Sequence, residues 1–291
     1  MTLLNKNKNI IIGTAQLGEN YGIANYNDNF SMKDRIAFLN FTYKNGFLDY
    51  DTAYAYQSSH EIIGKWIHKE NIKPNIYTKL PLLNSSSKDQ ILSIFTTSLQ
   101  QLKLENIEGL FLHNPRDWLN NNTRYFADYI IKNKLVNYFG LSIYSENDIH
   151  IDENIKIIQT PGNIFNQEIF YSNKLNEFNL NNGEIHIRSV FIQGLLLMQP
   201  EKIPQKLDIL KKPLYYIRNF ANELNIDIKS LAILCVKKLM PNAKIVIGLD
   251  NITQAKNLLN IENDTISNTD IEEIIRFGRK NYNKLWDPRN W

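Results

Sequence analysis

The sequence predicts an α/β protein: a closed (β/α)8 barrel, or TIM barrel, forming a single domain over residues 1–291 with an extra C-terminal helix. Three observations support this prediction. Short runs rich in β-branched and aromatic residues alternate with amphipathic helical patterns along the chain. The length of 291 residues suits one such barrel, which commonly uses ~250 residues. No G-x-G-x-x-G motif follows a strand, so the alternative of an open doubly wound sheet lacks its usual nucleotide-binding signal.

The candidate strands are short apolar runs, as expected for strands buried on both faces in a parallel sheet. Eight of them alternate with helical segments, which favours a closed parallel barrel over an open sheet. In chain order they are Asn9–Gly13, Phe47–Tyr50, Asn75–Lys79, Glu108–Leu112, Asn137–Leu141, Ile155–Gln159, Glu184–Arg188 and Lys244–Ile247.

The intervening segments carry apolar residues at the i, i+3, i+4 spacing of amphipathic helices. Ser31 and Ser87 precede two of these segments and suit the N-cap position. The clearest helical segments are Lys33–Lys44, Ser58–Lys69, Lys88–Lys103 and Thr123–Lys134.

Two features depart from the regular alternation. The segment Ser189–Leu214 between the seventh strand and its helix is long and proline-rich, and such loops in compact domains are often functional. The segment Thr269–Lys284 predicts a helix beyond the eighth repeat.

The composition excludes several classes of protein. With 43% hydrophobic and 22% charged residues, the chain resembles an ordinary globular protein. The net charge of +3 is small and the basic residues are dispersed, which argues against nucleic acid as a partner. The single cysteine, Cys235, lies in an apolar run, so it predicts a buried structural residue in a reducing compartment. Without the apolar core of a signal peptide or a run of ~20 apolar residues, the sequence predicts a cytoplasmic protein with no membrane partner.

Four ionisable residues lie at or just after the ends of predicted strands or in the adjoining loop: Asp51, Tyr56, Lys79 and His113. In a parallel barrel these strand ends converge on one face, where active sites lie. A phenol has a pKa near ~10 and is a poor acid at neutral pH unless a cation lies beside it. Lys79 can supply that cation, Asp51 can pair with it, and a neutral His113 can donate a hydrogen bond to a substrate oxygen. Together they suit carbonyl reduction or alcohol oxidation.

Each of the four residues also has an ordinary structural interpretation. A single Asp before a Thr is more often a turn or helix cap, and a single Tyr or His near a strand end is more often packed. Their joint occurrence after successive strands favours the catalytic interpretation. Asp49 and Tyr54 lie near these residues but are not expected to be catalytic. Asp49 lies one layer deeper in the barrel than Asp51 and is expected to form a structural ion pair.

The chain resembles the aldo-keto reductases, in particular their short bacterial members, from Gly13 to about Asn257. The resemblance rests on motifs in the order and spacing of that family. They are Gly13-Thr-Ala-Gln-Leu-Gly-x-x-Tyr-Gly22, Asp51-Thr-Ala-x-x-Tyr56, Glu61-x-x-Gly64, Tyr77-Thr-Lys79-Leu and Leu112-His113-Asn-Pro115.

The resemblance implies an NADPH-binding barrel, with NADH as the less common cofactor. Tyr56 is then the general acid, Lys79 and Asp51 tune it, and His113 orients the carbonyl. Ser142 and Gln159 match residues that bind the nicotinamide amide, and Gly248–Asn257 matches the segment around the adenosine end. The cofactor-binding residues implied in this way are Gly13, Thr14, Ser142, Gln159, Arg188, Ser189, Gly248, Asn251, Gln254 and Asn257.

The sequence departs from the family pattern at three positions. Ile143 replaces the Asn that usually follows the nicotinamide-contacting Ser. Arg188 stands where many members have an aromatic residue stacked on the nicotinamide, and its charge disfavours the oxidised, cationic ring. Asp250 lies in an adenosine segment that lacks the usual basic residue, so the choice between NADPH and NADH stays open.

The expected substrate is a small-molecule carbonyl, and a keto-sugar of a surface-polysaccharide pathway fits the clade that the chain resembles. Arg188 and Arg116 are placed to bind a carboxylate or phosphate on such a substrate. Two other functions remain open: a nucleotide-retaining sugar epimerase or dehydratase, and a non-catalytic cofactor-binding regulator. The oligomeric state is not readable from the sequence. The aromatic side chains expected to line the substrate pocket are Tyr21, Tyr54, Trp118, Phe165 and Phe191.

Metal chemistry is disfavoured by the sequence. The five histidines, His60, His68, His113, His150 and His186, show no ligand spacing such as H-x-x-x-H. No metal site is therefore expected.

Overall fold

Eight parallel strands form a closed barrel in which each strand pairs with its sequence neighbours and the eighth pairs with the first. The computed structural model describes residues 9–18, 22–23, 31–259 and 266–291. The prediction of a (β/α)8 barrel is confirmed, because every predicted run forms a strand. The strands are β1 Ile10–Gly13, β2 Asp49–Asp51, β3 Asn75–Leu80, β4 Ile107–Leu112, β5 Val136–Ser142, β6 Ile155–Pro161, β7 Glu184–Arg188 and β8 Lys244–Gly248.

Helices follow the strands and surround the barrel. The four helices predicted most clearly are present within two residues of their expected ends, and so is the start of the helix expected beyond the eighth repeat. The bounds are α1 Ala15–Gly18, α2 Met32–Lys44, α3 Ser59–Glu70, α4 Lys88–Leu102, α5 Asn121–Lys132, α6 Asn173–Leu180, α7 Lys211–Glu223, α8 Ile228–Leu239, α9 Ile252–Leu259 and α10 Asn268–Lys280.

The two predicted N-caps are confirmed in detail. The Ser31 side chain accepts a hydrogen bond from the Asp34 backbone N–H, and the Ser87 side chain accepts one from that of Gln90. In both cases the side chain of the third helical residue returns the contact to the cap backbone, which forms a capping box. These caps fix where α2 and α4 begin.

The glycine of the Glu61-x-x-Gly64 motif is required by helix packing. A Cβ atom on Gly64 would lie 2.0 Å from the carbonyl oxygen of Gln101 at the end of α4. Only a residue without a side chain allows α3 and α4 to approach this closely. This motif therefore acts on the helical layer rather than on the barrel rim.

The amino-terminal end of the barrel contains a charged network. Lys244 Nζ lies 3.1 Å from Asp49 Oδ2 and 3.1 Å from Glu184 Oε1, and Asn75 Nδ2 donates to Asp49 Oδ1 at 2.7 Å. Asp49 therefore forms the structural ion pair that the sequence predicted. Above this network Tyr77, Phe111 and Ile157 fill the barrel interior, so the centre is packed rather than open.

The carboxyl-terminal segment after α10 is anchored against the barrel. The ring of Trp286 stacks on that of Phe165 with centroids 3.9 Å apart, and Trp286 Nε1 donates to the Asn281 carbonyl at 3.0 Å. Trp291 Nε1 donates to the Leu285 carbonyl at 2.8 Å. These contacts hold residues 284–291 at the carboxyl rim of the strands.

Two further observations concern the described residues as a whole. None of the helices in those ranges is both long enough and apolar enough to cross a membrane. Cys235 is a free, buried thiol in α8, and burial raises its pKa to about 12.

Candidate active site

Asp51 and Lys79 form a buried ion pair at the carboxyl ends of β2 and β3. Lys79 Nζ lies 2.6 Å from both carboxylate oxygens of Asp51 and donates to the Thr52 carbonyl at 3.1 Å. Both side chains are almost completely inaccessible to solvent. Because a buried charge is tolerated only when it is paired and hydrogen-bonded, each residue requires the other.

The strand register brings this pair together. Asp51 is the last residue of β2 and lies level with Gly13 of β1 and Tyr77 of β3. Lys79 lies two residues further along β3, on the same face as Tyr77. The long lysine side chain therefore reaches the Asp51 carboxylate from within the barrel.

Tyr56 lies on the loop that follows β2, and the Lys79 ammonium lies 5.6 Å from the centroid of its ring. The loop is held by hydrogen bonds from the Tyr56 N–H to the Ala53 carbonyl and from the Ser59 N–H to the Tyr56 carbonyl. A Cβ on Gly18 would lie 1.9 Å from the Tyr56 carbonyl oxygen, so only glycine allows α1 to pack against this loop. The phenol is half-buried and beside a cation.

His113 follows the last residue of β4. The next residue, Asn114, accepts a hydrogen bond from the Arg116 N–H and caps the short 3-10 helix Pro115–Leu119, which ends the strand sharply at the rim. Burial, the Lys79 ammonium and the Arg188 guanidinium lower the pKa of His113 to about 4, and the Asp51 carboxylate opposes them. At neutral pH the imidazole is therefore uncharged, and it can donate a hydrogen bond without transferring a proton to the acceptor.

Lys79 experiences opposing effects. Burial lowers its pKa, the charge and hydrogen bonds of Asp51 raise it, and the Arg188 guanidinium lowers it further. The net effect is a pKa of Lys79 below that of an ordinary lysine. Its ammonium therefore gives up its proton more readily to a neighbouring phenolate. One rim thus carries four groups suited to acid–base chemistry: the Tyr56 phenol, the Lys79 ammonium with its altered pKa, the Asp51 carboxylate and the neutral His113 imidazole.

A cavity of about 540 Å³ opens at this rim. It extends from Tyr56 across the ends of β1, β8 and β7 towards the loop after β7. Many residues predicted to bind cofactor or substrate line it: Gly13, Thr14, Asp51, Tyr56, Arg188, Ser189, Phe191, Gly248 and Gln254.

The cavity also has walls that the sequence did not identify. Most of the predicted long, proline-rich loop Ser189–Leu214 folds into 3-10 turns that end at Leu210, before α7 begins, and the part before α7 forms one wall of the cavity. Ser189, Ile192, Gln193 and Gly194 have positive φ angles there, a conformation costly for the branched Ile192. Two sequence features could have indicated these lining residues: the basic residues in the proline-rich loop and the polar residues at the start of α8. The additional lining residues include Gln16, Gln199, Lys202, Asp227 and Lys229.

Gln159 bridges the predicted nicotinamide site and the ion pair. Its Nε2 donates to Asp51 Oδ1 at 2.7 Å, and its neighbour across the β5–β6 ladder is Ser142. Among the described residues, Gln159 Oε1 is buried and accepts no hydrogen bond. An unpaired buried acceptor is costly, and the N–H₂ group of a carboxamide would satisfy it. The acceptor chemistry of Gln159 Oε1 therefore fits a carboxamide, but Gln159 and Ser142 are both fully buried and neither lines the cavity.

Thr14 lines the cavity but its hydroxyl is already engaged. Thr14 Oγ1 donates to the Asp51 carbonyl at 2.9 Å and lies 3.0 Å from Ser59 Oγ. Thr52 Oγ1 lies 3.1 Å from the same serine hydroxyl. This hydroxyl cluster ties the ends of β1 and β2 to α3.

The segment after β8 presents a carboxylate to the cavity. Asp250 lines the cavity, accepts a hydrogen bond from Gln254 Nε2 at 3.1 Å, and has its pKa raised by burial. Asn251 accepts a hydrogen bond from the Gln254 N–H and so caps α9. Asn257 is exposed on α9 and does not line this cavity.

Arg188, the last residue of β7, lies where the sequence comparison expected a stacking aromatic residue. Its guanidinium carbon lies 4.5 Å from the centroid of the Tyr144 ring, and Nη2 donates to the Ile143 carbonyl at 3.3 Å. Ile143 itself is completely buried, so it contributes its backbone rather than its side chain.

The predicted aromatic walls divide into three groups. Phe191 lines the cavity, whereas Tyr54 does not; it is exposed and its ring lies nearly perpendicular to that of His60. Trp118 and Phe165 depart from the expectation because both are buried in packing, Trp118 against Phe139 and Phe165 against Trp286, and neither lines the cavity. Tyr21 lies outside the described residues.

No group of three or more His, Cys, Asp or Glu side chains arranged to hold a metal ion occurs in residues 9–18, 22–23, 31–259 and 266–291.

Solved structures share this fold at low sequence identity. The glycerol dehydrogenase AKR11B4 from Gluconobacter oxydans superposes with a TM-score of 0.76 at 17% identity, over 92% of this chain and 90% of that one. A thermostable aldo-keto reductase, Tm1743, solved with the inhibitor epalrestat, gives 0.72 at 18% identity, over 95% and 98%. An aldo/keto reductase from Klebsiella pneumoniae, solved with NADP and acetate, gives 0.71 at 16% identity, over 93% and 92%.

Comparison with curated protein sequences found no significant match. The model of the aldo/keto reductase family, in contrast, matches residues 9–278, which include all eight strands and the Asp51, Tyr56, Lys79 and His113 cluster. The chain therefore belongs to the aldo/keto reductase family, a family of oxidoreductases.

Proposed function

We propose that this enzyme reduces an aldehyde or ketone to the alcohol with NADPH as cofactor and NADH as the possible substitute. The observation that carries the proposal is the buried Asp51–Lys79 ion pair beside the Tyr56 phenol. When bound, the reduced dinucleotide supplies a hydride to the carbonyl carbon. Tyr56 supplies the proton to the carbonyl oxygen, so the products are the alcohol and the oxidised cofactor.

In this proposal each residue has one task. The Lys79 ammonium stabilises the Tyr56 phenolate that remains after proton transfer, and Asp51 keeps that ammonium in place. Neutral His113 donates a hydrogen bond to the carbonyl oxygen, which orients the carbonyl and stabilises the charge that develops there. Gln159 and Ser142 hold the carboxamide of the cofactor, because Gln159 Oε1 is otherwise an unsatisfied buried acceptor.

The remaining cofactor residues follow from the cavity. Gly13, Thr14, Arg188 and Ser189 line its part nearest Tyr56, whereas Gly248 and Gln254 line its part after β8. Asn251 and Asn257 complete the proposed adenosine segment on α9. Lys202 and Lys229 bring ammonium groups to the cavity that the Gly248–Asn257 segment lacks, and Asp227, which also lines it, is engaged by the Lys229 backbone N–H; the two lysines support NADPH despite Asp250.

The proposed substrate is a keto-sugar or sugar derivative of a surface-polysaccharide pathway, in keeping with the short bacterial enzymes that the sequence resembles. The proposal treats residues 1–291 as one barrel domain in the cytoplasm. It includes no nucleic-acid or membrane partner.

The test combines binding with turnover. NADPH and NADH are titrated in parallel by fluorescence, and oxidation of the reduced cofactor is then followed with a panel of aldoses, ketoses and simple aldehydes. Saturable binding together with net oxidation of the cofactor supports the proposal. Conversion of a sugar without net oxidation would identify a nucleotide-retaining epimerase or dehydratase instead. Binding with no conversion would identify a non-catalytic regulator, and no binding up to ~1 mM would contradict dinucleotide dependence.

A further inference from the structure

A second groove opens beside His113, next to the cavity that Tyr56 lines. We call it the His113 groove, and it is lined by His113, Arg116, Tyr144, Asp148, Leu82 and Arg289 among others. Arg289 comes from the carboxyl-terminal segment, far in sequence from the rest. Because His113 lines this groove and Tyr56 lines the neighbouring cavity, a carbonyl held between them leaves the remainder of its molecule in the groove.

Arg289 is exposed, but Asp287 and the Tyr144 ring hold its guanidinium in one orientation. Its Nε lies 3.1 Å and 2.9 Å from the two carboxylate oxygens of Asp287, and its guanidinium carbon lies 3.7 Å from the centroid of the Tyr144 ring. The guanidinium of Arg188 contacts the same ring at 4.5 Å. Two guanidinium groups therefore share one aromatic ring at the edge of the groove. Nη2 of Arg289 also donates to Asp287 Oδ2 at 2.5 Å, so Nε and Nη2 are engaged with this carboxylate and the Nη1 group is left to donate to an anion in the groove.

Arg116 supplies a second charge in the groove. Its backbone N–H donates a hydrogen bond to Asn114 Oδ1, whereas its side chain is exposed. Within the part of the chain that the structure describes, no carboxylate forms an ion pair with Arg116. This guanidinium is therefore available for an anion from solution.

The acidic residue of the groove is already engaged. Asp148 Oδ2 accepts hydrogen bonds from the backbone N–H groups of Tyr144 and Ser145 and from the Ser145 hydroxyl. Its negative charge is directed at the backbone of the turn, so it competes weakly with an incoming anion.

Charges of both signs lie near His113 at the deep end of the groove. Lys79 and Arg188 act on His113 as cations, the Asp51 carboxylate opposes them, and His113 itself is uncharged at neutral pH. The charge of an anionic substrate is therefore compensated at the outer end by arginines and not by the histidine.

We propose that the His113 groove binds a carboxylate or phosphate group of the substrate through Arg116 and Arg289, and so selects anionic carbonyl compounds. This inference rests on the proposed function, since it assigns the substrate class of the same site. It also corrects the expectation that Arg188 pairs with Arg116 for this task, because Arg188 lines the neighbouring cavity while Arg289 lines the groove.

The test compares matched carbonyl pairs that differ in one charged group. Succinic semialdehyde is compared with butanal for the carboxylate, and glyceraldehyde 3-phosphate with glyceraldehyde for the phosphate. The ratio of kcat/KM for the charged to the neutral member is measured in the wild-type enzyme, Arg116→Gln and Arg289→Gln. Arg276→Gln removes the same charge from the exposed surface of α10 and is the control.

We expect the charged member to be preferred by about tenfold or more, the strength typical of a charge-assisted hydrogen bond. Each groove variant lowers that ratio by about tenfold through KM, Arg116→Lys restores part of it, and Arg276→Gln does not change it. The pair with the larger ratio identifies carboxylate or phosphate as the preferred group. A wild-type ratio near one, or a ratio equal in all variants, would overturn the inference.

Failure of the proposed function is separable from failure of this inference. If none of the four carbonyl compounds is reduced, carbonyl reduction is contradicted, and calorimetric binding of succinate then tests the groove without turnover. Succinate binding that is weakened in Arg116→Gln and in Arg289→Gln, but not in Arg276→Gln, still supports the anion site. No succinate binding, or binding equal in all variants, overturns it.

Discussion

Gln159 Nε2 donates a hydrogen bond to Asp51 Oδ1 at 2.7 Å, which links β6 to β2 across the barrel rim. The same carboxylate holds Lys79, so the residue proposed to bind the nicotinamide amide and the residues proposed to tune Tyr56 belong to one network. If these proposed roles hold, cofactor binding and proton transfer are coupled through Asp51.

Replacing Gln159 tests this coupling. Gln159→Leu removes the donor to Asp51 and the unpaired acceptor Oε1, so we expect the affinity for NADPH to fall by about tenfold, a typical effect of one lost buried hydrogen bond. Fluorescence titration measures the change. Thr160→Val, the adjacent position whose side chain alternates to the other face of β6, is the matched control. Equal affinities in wild type and Gln159→Leu would remove Gln159 from the proposed site.

The Asp51–Lys79 pair predicts strong non-additivity. Asp51→Asn and Lys79→Met each leave one buried charged partner alone, so each is expected to lower the free energy of unfolding by about 3–5 kcal/mol. The double variant leaves no unpaired charge and is expected to be more stable than the sum of the singles implies. Denaturant unfolding of the four proteins measures the interaction. Additive effects would show that the two charges do not depend on each other.

Acid stability is expected to depend on two buried histidines. Burial is the main cause that lowers the pKa of both His113 and His60 to about 4, compared with 6.5 in the unfolded chain. Between these values the unfolded state binds more protons than the folded state, so the free energy of unfolding rises with pH. The contribution of the two histidines is therefore lost on acidification from pH 6.5 to 4. His60→Gln, which can keep a hydrogen bond to Thr78, should reduce the slope in this window.

Urea unfolding at half-unit pH intervals measures that slope. His68→Gln changes an exposed histidine on the same helix and serves as the control. An identical slope in wild type and His60→Gln would show that His60 does not titrate as its burial implies.

Arg188 is expected to favour the reduced cofactor. Its guanidinium lines the proposed nicotinamide end of the cavity, where the oxidised ring is cationic and the reduced ring is neutral. Arg188→Gln should bring the dissociation constants of NADP⁺ and NADPH closer together by about tenfold, since like-charge repulsion is removed. Parallel titrations of both redox forms measure the ratio, with Arg276→Gln as the control. A ratio unchanged by Arg188→Gln would place the guanidinium away from the ring.

The barrel was predictable because its strands are nearly continuous apolar runs separated by amphipathic helices. The predicted strand Phe47–Tyr50 begins two residues before β2 and ends one residue before it, and the end is missed because Asp51 is a charged residue inside the strand. The partners of Asp49 and Asp51 come from other strands, so local sequence carries no sign that a carboxylate is acceptable there. The catalytic candidates were still found, because each lies at or near the end of a recognisable strand.

The aromatic walls and the groove were harder to predict. Phe165 is buried because it stacks on Trp286, a contact between distant segments that no local pattern reveals. Arg289 reaches the site only because that same stacking anchors the carboxyl-terminal segment at the rim. Contributions of this kind depend on tertiary packing, which the periodicity of one segment cannot report.

The most direct test of the account is the comparison of wild type with Tyr56→Phe, which removes one hydroxyl beside Lys79 and keeps the ring. NADPH affinity is measured by fluorescence, and single-turnover oxidation of bound NADPH is followed with a saturating carbonyl substrate. The account predicts unchanged NADPH affinity and a single-turnover rate lower by about 10²–10⁴-fold, the usual contribution of a general acid. A rate equal to that of wild type would contradict the assignment of Tyr56 as the proton donor.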